Sequence, residues 1–154
     1  MCQATVKKGE GAGGLPCVRL LIADDQPRVR PSLAALLTAL HWSTPSRSGI
    51  PIKIVGVAND GLQAVQQVQV LHPDVVVLDL PTHPSADQAL LTGLRMDGLT
   101  TIRTIKRRWP LVRVVVLTLY ATDRAAVLLA GADAFLLKGC PTSELLDAVM
   151  FSTD

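Results

Sequence analysis

The chain has 154 residues, 49% of them hydrophobic and 18% charged, with a formal net charge of +2. That length supplies one domain with a two-sided hydrophobic core and not two, the composition excludes disorder, and no uninterrupted apolar run approaches the roughly 18 residues of a membrane span. So small a net charge gives no argument for nucleic acid. The densest basic stretch, Arg103 to Arg108, falls late in a predicted helix and reads as a solvated helix end whose charge complements the helix dipole.

Residues 1–17 read as a flexible leader. Lys7 and Lys8 are followed by glycines and not by an apolar stretch, so these residues do not read as a secretory signal and a cytoplasmic location is expected. Gly9, Gly11, Gly13 and Gly14 imitate a dinucleotide loop, but that motif needs a strand before it and here the strand comes after. Cys2, Cys17 and Cys140 are odd in number and lack histidines at metal-ligand intervals, which favours reduced thiols over a disulfide framework or a zinc site.

From Val18 the pattern becomes regular. Val18 to Ala23 is a short β-rich run, and Val29, Leu33, Leu36, Leu37 and Leu40 then recur at helical spacing, with Pro31 tolerated in the first turn. Residues 41–51, rich in Ser, Pro and Gly, lengthen the way to a second run, Ile52 to Ala58. Asn59 or Asp60 can cap the helix that follows, Gly61 to Leu71, whose apolar stripe is Leu62, Val65, Val68 and Leu71. A third run, Val75 to Leu80, leads into a long loop, residues 81–96, and then a stripe of Leu99, Ile102, Ile105 and Trp109 ended by Pro110. Val112 to Thr118 precedes a short helix, Thr122 to Ala130, stopped by Gly131. Asp133 to Leu137 precedes a helix that starts at Pro141 and carries Leu145, Leu146 and Val149.

Strand and helix alternate five times. Parallel strands need crossovers, and right-handed ones put helices on both faces, so the expected fold is α/β, a three-layer doubly wound five-stranded parallel sheet over residues 18–150, with 151–154 as a tail. In such a sheet the strand ends gather at one edge, where open α/β folds hold ligands. That edge would collect Asp24 and Asp25, Asp79, Thr118 and Lys138.

Three acids at one edge repel one another unless a cation joins them, and hard oxygen donors with room for water suit magnesium. A carboxylate there could attack phosphorus and form an acyl phosphate. Lys138 could pair with the carboxylate before transfer and with phosphoryl oxygen afterwards, while Thr118 donates to another of those oxygens. If Thr118 moves inward, the ring of Phe135 can turn into the space behind it, coupling charge to surface as a switch does. Taken singly, each residue has a plainer reading. Asp24 and Asp60 are then turn formers or caps, Thr118 a β-branched strand residue, Lys138 a solvated lysine, Phe135 plain core, and His41, His72 and His83 surface or loop residues.

The segments LLIADDQP, HPDVVVLDL, MDGLTTIRTIKRRWP, VVVLTLY and GADAFLLKG resemble the successive motifs of the response-regulator receiver family over about Val18 to Val149. The style is closest to receivers of the nitrate-regulator or nodulation-regulator type. The resemblance implies a flavodoxin-like fold with strand order 2-1-3-4-5, and phosphorylation of Asp79 by a sensor histidine kinase with magnesium. It implies metal binding by Asp24, Asp25, Asp79 and the Pro81 carbonyl, and a switch formed by Thr118 and Phe135. The chain would then be no enzyme on a separate substrate, although it promotes its own phosphoryl transfer and dephosphorylation. A homodimer is left open, and neither membrane contact nor direct nucleic-acid binding is expected.

Two departures bear on function. Residues 81–95 replace a short loop, an insertion of about 11 residues beside Asp79, and the Thr118 to Phe135 spacing runs about two residues short. The first motivates an alternative, a binding module that has lost phosphorylation. A hydrolase using Asp79 as nucleophile is disfavoured because no second acid stands two residues later. With only 151–154 after the last predicted helix, the expectation is a stand-alone receiver or the receiver fragment of a DNA-binding transcriptional regulator.

Overall fold

The computed structural model describes residues 17–24, 52–79, 97–118 and 124–150. The first predicted helix, the long connections at 41–51 and 81–96, most of the leader and the tail lie outside the described residues. The described elements run β1 (Val18–Asp24), β2 (Ile52–Ala58), α1 (Gly61–Leu71), β3 (Val75–Asp79), α2 (Gly98–Arg108), β4 (Arg113–Thr118), α3 (Arg124–Ala130), β5 (Ala134–Leu137) and α4 (Thr142–Met150). All pairings are parallel, and the strand order is β2-β1-β3-β4-β5, the order implied by the family resemblance.

Strand alternation divides the core in two. Leu21, Ala23, Val76, Leu78, Val114 and Val116 face Val65, Val68, Ile102, Ile105 and Val127 of α1, α2 and α3. Val18, Leu20, Ile22, Val75, Val77, Val115 and Leu117 face Leu145, Ala148 and Val149 of α4. Because both faces are covered, β3 reads VVVLD with all five residues buried, a continuous apolar run and not an alternating one. Each fully buried Val, Leu or Ile contributes on the order of 1.5–3 kcal/mol.

The helices begin and end on local chemistry. Asp60 accepts from the Gln63 N–H at 2.8 Å, and the Gln63 side chain accepts from the Asn59 N–H at 2.7 Å. Asp97 caps α2 by accepting from the Thr100 N–H at 2.7 Å. At the end of α3, Gly131 adopts φ 112°, with its N–H donating to Leu128 and that of Ala132 to Val127, a Schellman motif. Helix α1 ends on His72, an exposed residue at φ 49°.

Two sequence expectations change. Leu62 is 43% exposed, and the buried face of α1 is Gly61, Ala64, Val65 and Val68. Steps of three residues drift around a helix of 3.6 residues per turn, so four residues at such steps do not all share the core face. The basic end of α2 is also not simply solvated. The Lys106 ammonium donates to the carbonyls of Pro110 and Val112, each at 3.0 Å, and to Asp133 Oδ2 at 2.9 Å. Asp133 Oδ2 also accepts from the Val114 N–H at 2.8 Å, which joins the foot of α2 to the starts of β4 and β5. A parallel device sits one strand pair away, where Asp74 accepts from the Arg19 N–H at 2.9 Å just before β3 begins.

Candidate functional site

Asp24 and Asp79 end their strands on the same rung, directly opposite each other at the carboxyl edge of the sheet. Asp24 is fully buried and Asp79 is 9% exposed. Carboxylates in this position need a reason, since buried charge is costly unless matched. Lys138, the first residue after β5, brings its ammonium to 2.6 Å from Asp79 Oδ2. Its N–H donates at 2.7 Å to the carbonyl of Thr118, the buried last residue of β4.

Burial pushes the Asp79 carboxyl up, the adjoining Asp24 carboxylate pushes it further, and Lys138 pulls it back, leaving a pKa of about 6. Among the described residues, two carboxyl groups and one ammonium thus meet at a largely buried edge. Strand alternation puts Asp24 and Asp79 in phase with Ile22 and Val77, on the α4 side, and Thr118 in phase with Val116, on the side of α1 to α3. Phe135 is half-buried and packs into that second core, so it shares a side with Thr118. Phe135, Arg124, Lys138, Cys140 and Glu144 are among the residues lining an open cavity of about 420 Å³.

Four of the predicted site residues, Asp24, Asp79, Thr118 and Lys138, therefore come together at one edge, with Phe135 beneath it. Asp25 and Pro81 lie outside the described residues. Among the described residues no group of three or more His, Cys, Asp or Glu side chains is gathered for a metal. The two acids that are described form a hard oxygen pair that repels itself, a donor set that fits a divalent cation such as magnesium. Gly139 escaped the sequence reading, although its place directly after Lys138 was visible in the LLKG segment. Cys17 and Cys140 carry free thiols.

The sequence profile of the response regulator receiver domain matches residues 20–150. The chain belongs to the response regulator receiver family. It is 33% identical over 134 residues to the transcriptional regulatory protein LiaR of Bacillus subtilis, a match covering 86% of this chain and 54% of LiaR. The chain spans about half the length of the curated relatives it matches. The receiver domain of the putative response regulator NarL from Mycobacterium tuberculosis superposes with a TM-score of 0.65 at 27% identity, over 87% of this chain and 94% of that one. A chain of the CheX-CheY-BeF3-Mg+2 complex from Borrelia burgdorferi gives a TM-score of 0.66 at 25% identity, over 89% of each. The receiver assignment and its NarL-type character agree with the motifs read from the sequence. Among the described residues, no helix is long and apolar enough to cross a membrane.

Proposed function

We propose that this receiver accepts a phosphoryl group on Asp79 from a sensor histidine kinase in the cytoplasm, with magnesium as cofactor. The observation that carries the reading is the shared rung of Asp24 and Asp79 with the Lys138 ammonium 2.6 Å from Asp79 Oδ2. Above a pH of about 6 the Asp79 carboxylate is ionised and able to act as nucleophile. Its oxygen bonds to phosphorus while the bond from phosphorus to the donor nitrogen breaks, the electron pair leaving with the donor.

Asp24, Asp25, Asp79 and the Pro81 carbonyl would hold the metal. Bound there, a divalent cation would shield the negative charge between the carboxylate and the incoming phosphoryl group. Lys138 pairs with a phosphoryl oxygen once the group has transferred, and the Thr118 hydroxyl donates to another. Because Thr118 and Phe135 lie on the same side of the sheet, an inward move of the threonine is transmitted to the ring and to the α3–β5 surface. The same groups serve the later hydrolysis of the acyl phosphate.

The output is a changed protein-interaction surface. The relationship to LiaR, a transcriptional regulatory protein, supports control of transcription as the destination, with DNA contacted by a segment other than residues 18–150. Incubation with magnesium and acetyl phosphate should add one phosphate to the protein and none to Asp79→Asn, read by intact mass. An Asp79→Asn protein that gains phosphate at the unaltered rate overturns the assignment, and a chain that captures its partner without binding magnesium is a binding module instead.

A further inference from the structure

We propose that Gly139 is a positioning residue for phosphoryl transfer, acting by fixing the backbone of Lys138; this rests on the roles given above to Asp79 and Lys138. The Cys140 N–H donates to the Leu137 carbonyl at 3.0 Å, closing a four-residue turn with Lys138 and Gly139 at its centre. Gly139 has φ 90°, whereas Lys138 is not among the residues of positive φ. Negative φ at the first central position and positive φ at the second define a type II turn, which takes Gly or Asn at the second.

Packing does not demand the glycine, because a Cβ added there would meet nothing within 4 Å. Only the backbone conformation demands it. The turn is tied at both ends: the Lys138 N–H is held by Thr118 at 2.7 Å, and three residues past Gly139 the chain enters α4. An L-residue at 139 must therefore either keep the strained φ or turn over the peptide between 138 and 139. Turning it over changes ψ of Lys138, and with ψ the side-chain rotamers open to it. The ammonium then leaves its place 2.6 Å from Asp79. A β-branched residue suits neither outcome, and asparagine tolerates the original one.

The test compares magnesium-dependent phosphate uptake from acetyl phosphate in the whole chain and in Gly139→Val, Gly139→Ala and Gly139→Asn. Uptake should slow roughly tenfold in Gly139→Val, less in Gly139→Ala, and by no more than about twofold in Gly139→Asn. Magnesium should still bind, followed by titration, and no more weakly than to the wild type, since Lys138 is not a ligand and its ammonium opposes a cation at Asp79. In a Lys138→Ala background, Gly139→Val should cause no further slowing, the non-additivity expected when one residue acts through another. If Gly139→Val does not fold, the order of Gly139→Ala below Gly139→Asn carries the test. Wild-type rates in Gly139→Val or Gly139→Ala, equal losses in the Ala and Asn variants, or full additivity with Lys138→Ala overturn the positioning role and leave the Asp79 assignment standing. A wild-type chain that takes up no phosphate overturns both.

Discussion

Two lysine–aspartate pairs stand at opposite ends of the sheet, and they are built to different ends. At the foot, Lys106 lies 2.9 Å from Asp133, donates to two further carbonyls, and shares the carboxylate with the Val114 N–H. Every charge there meets a complementary dipole or ion. At the carboxyl edge, Lys138 lies 2.6 Å from Asp79, but Asp79 also faces the Asp24 carboxylate across the same rung. The foot is a closed set, which gives rigidity. Among the described residues the edge sets two carboxyl groups beside one ammonium, which suits the cation and transferred group proposed above. Under the proposed function, what separates the two ion pairs is thus the company of the carboxylate and not the pair itself.

The sharpest way to break that contrast is to remove each lysine. Lys138→Ala should slow phosphate uptake by about a hundredfold, the usual cost of deleting one preorganised charge stabiliser. Lys106→Ala should leave uptake unaltered and lower unfolding free energy by about 1–3 kcal/mol, because the Asp133 carboxylate and two carbonyls lose a donor. Uptake assays and urea unfolding on both variants decide the matter. Slowed uptake in Lys106→Ala would erase the distinction between the two ends.

A second effect, smaller, concerns stability and pH. The Asp79 pKa rises from the ordinary 3.8 to about 6 on folding, so the native state holds the proton more tightly than the unfolded chain does. Its contribution is complete below 3.8 and is lost as pH rises through about 6. Asp79→Asn, which never ionises, should therefore be more stable than wild type at pH 7 in metal-free buffer, by roughly 1–3 kcal/mol. The gain should fade as pH falls towards 4, about the ordinary value. Magnesium should narrow it from the other side, adding about 2.7 kcal/mol to the wild type at a hundred times its dissociation constant. Melts across this pH range with and without magnesium test the sign, and a wild type that gains relative stability between pH 4 and 6 would contradict it.

The edge was more legible in the sequence than the foot. Doubly covered parallel strands appear as unbroken apolar runs such as VVVL, and an acid ending such a run is conspicuous, so Asp24 and Asp79 could be assigned to one edge from their positions, while the adjacency of their strands came from the family resemblance. The Lys106 cluster had no such signal. Its carbonyl partners depend on how the chain reverses between Trp109 and Val112, and its carboxylate partner is 27 residues away, at a position that the sequence presents only as the start of a strand. Leu62 failed for another reason, since three-residue spacing looks helical over one step and drifts off the face over three. The type II turn at Gly139 was hidden because a glycine after a lysine indicates a loop without saying which peptide must be held.

The smallest effect tests whether position at the carboxyl edge is enough to make an acid functional. Asp60 follows β2 at the same edge as Asp79, but its Oδ1 accepts from the Gln63 N–H at 2.8 Å and so caps α1. By the rule of company, it belongs with the foot. Asp60→Ala should cost about 1 kcal/mol of stability through loss of the cap. Phosphate uptake and magnesium affinity should be unchanged, because the orphaned N–H lies on α1 and not beside Asp79. Asp60→Asn, which keeps a capping oxygen while removing the charge, should be nearly neutral in unfolding. If either variant alters magnesium affinity, then long-range charge at the edge matters as well as direct company, and the boundary of the site must be drawn to include β2.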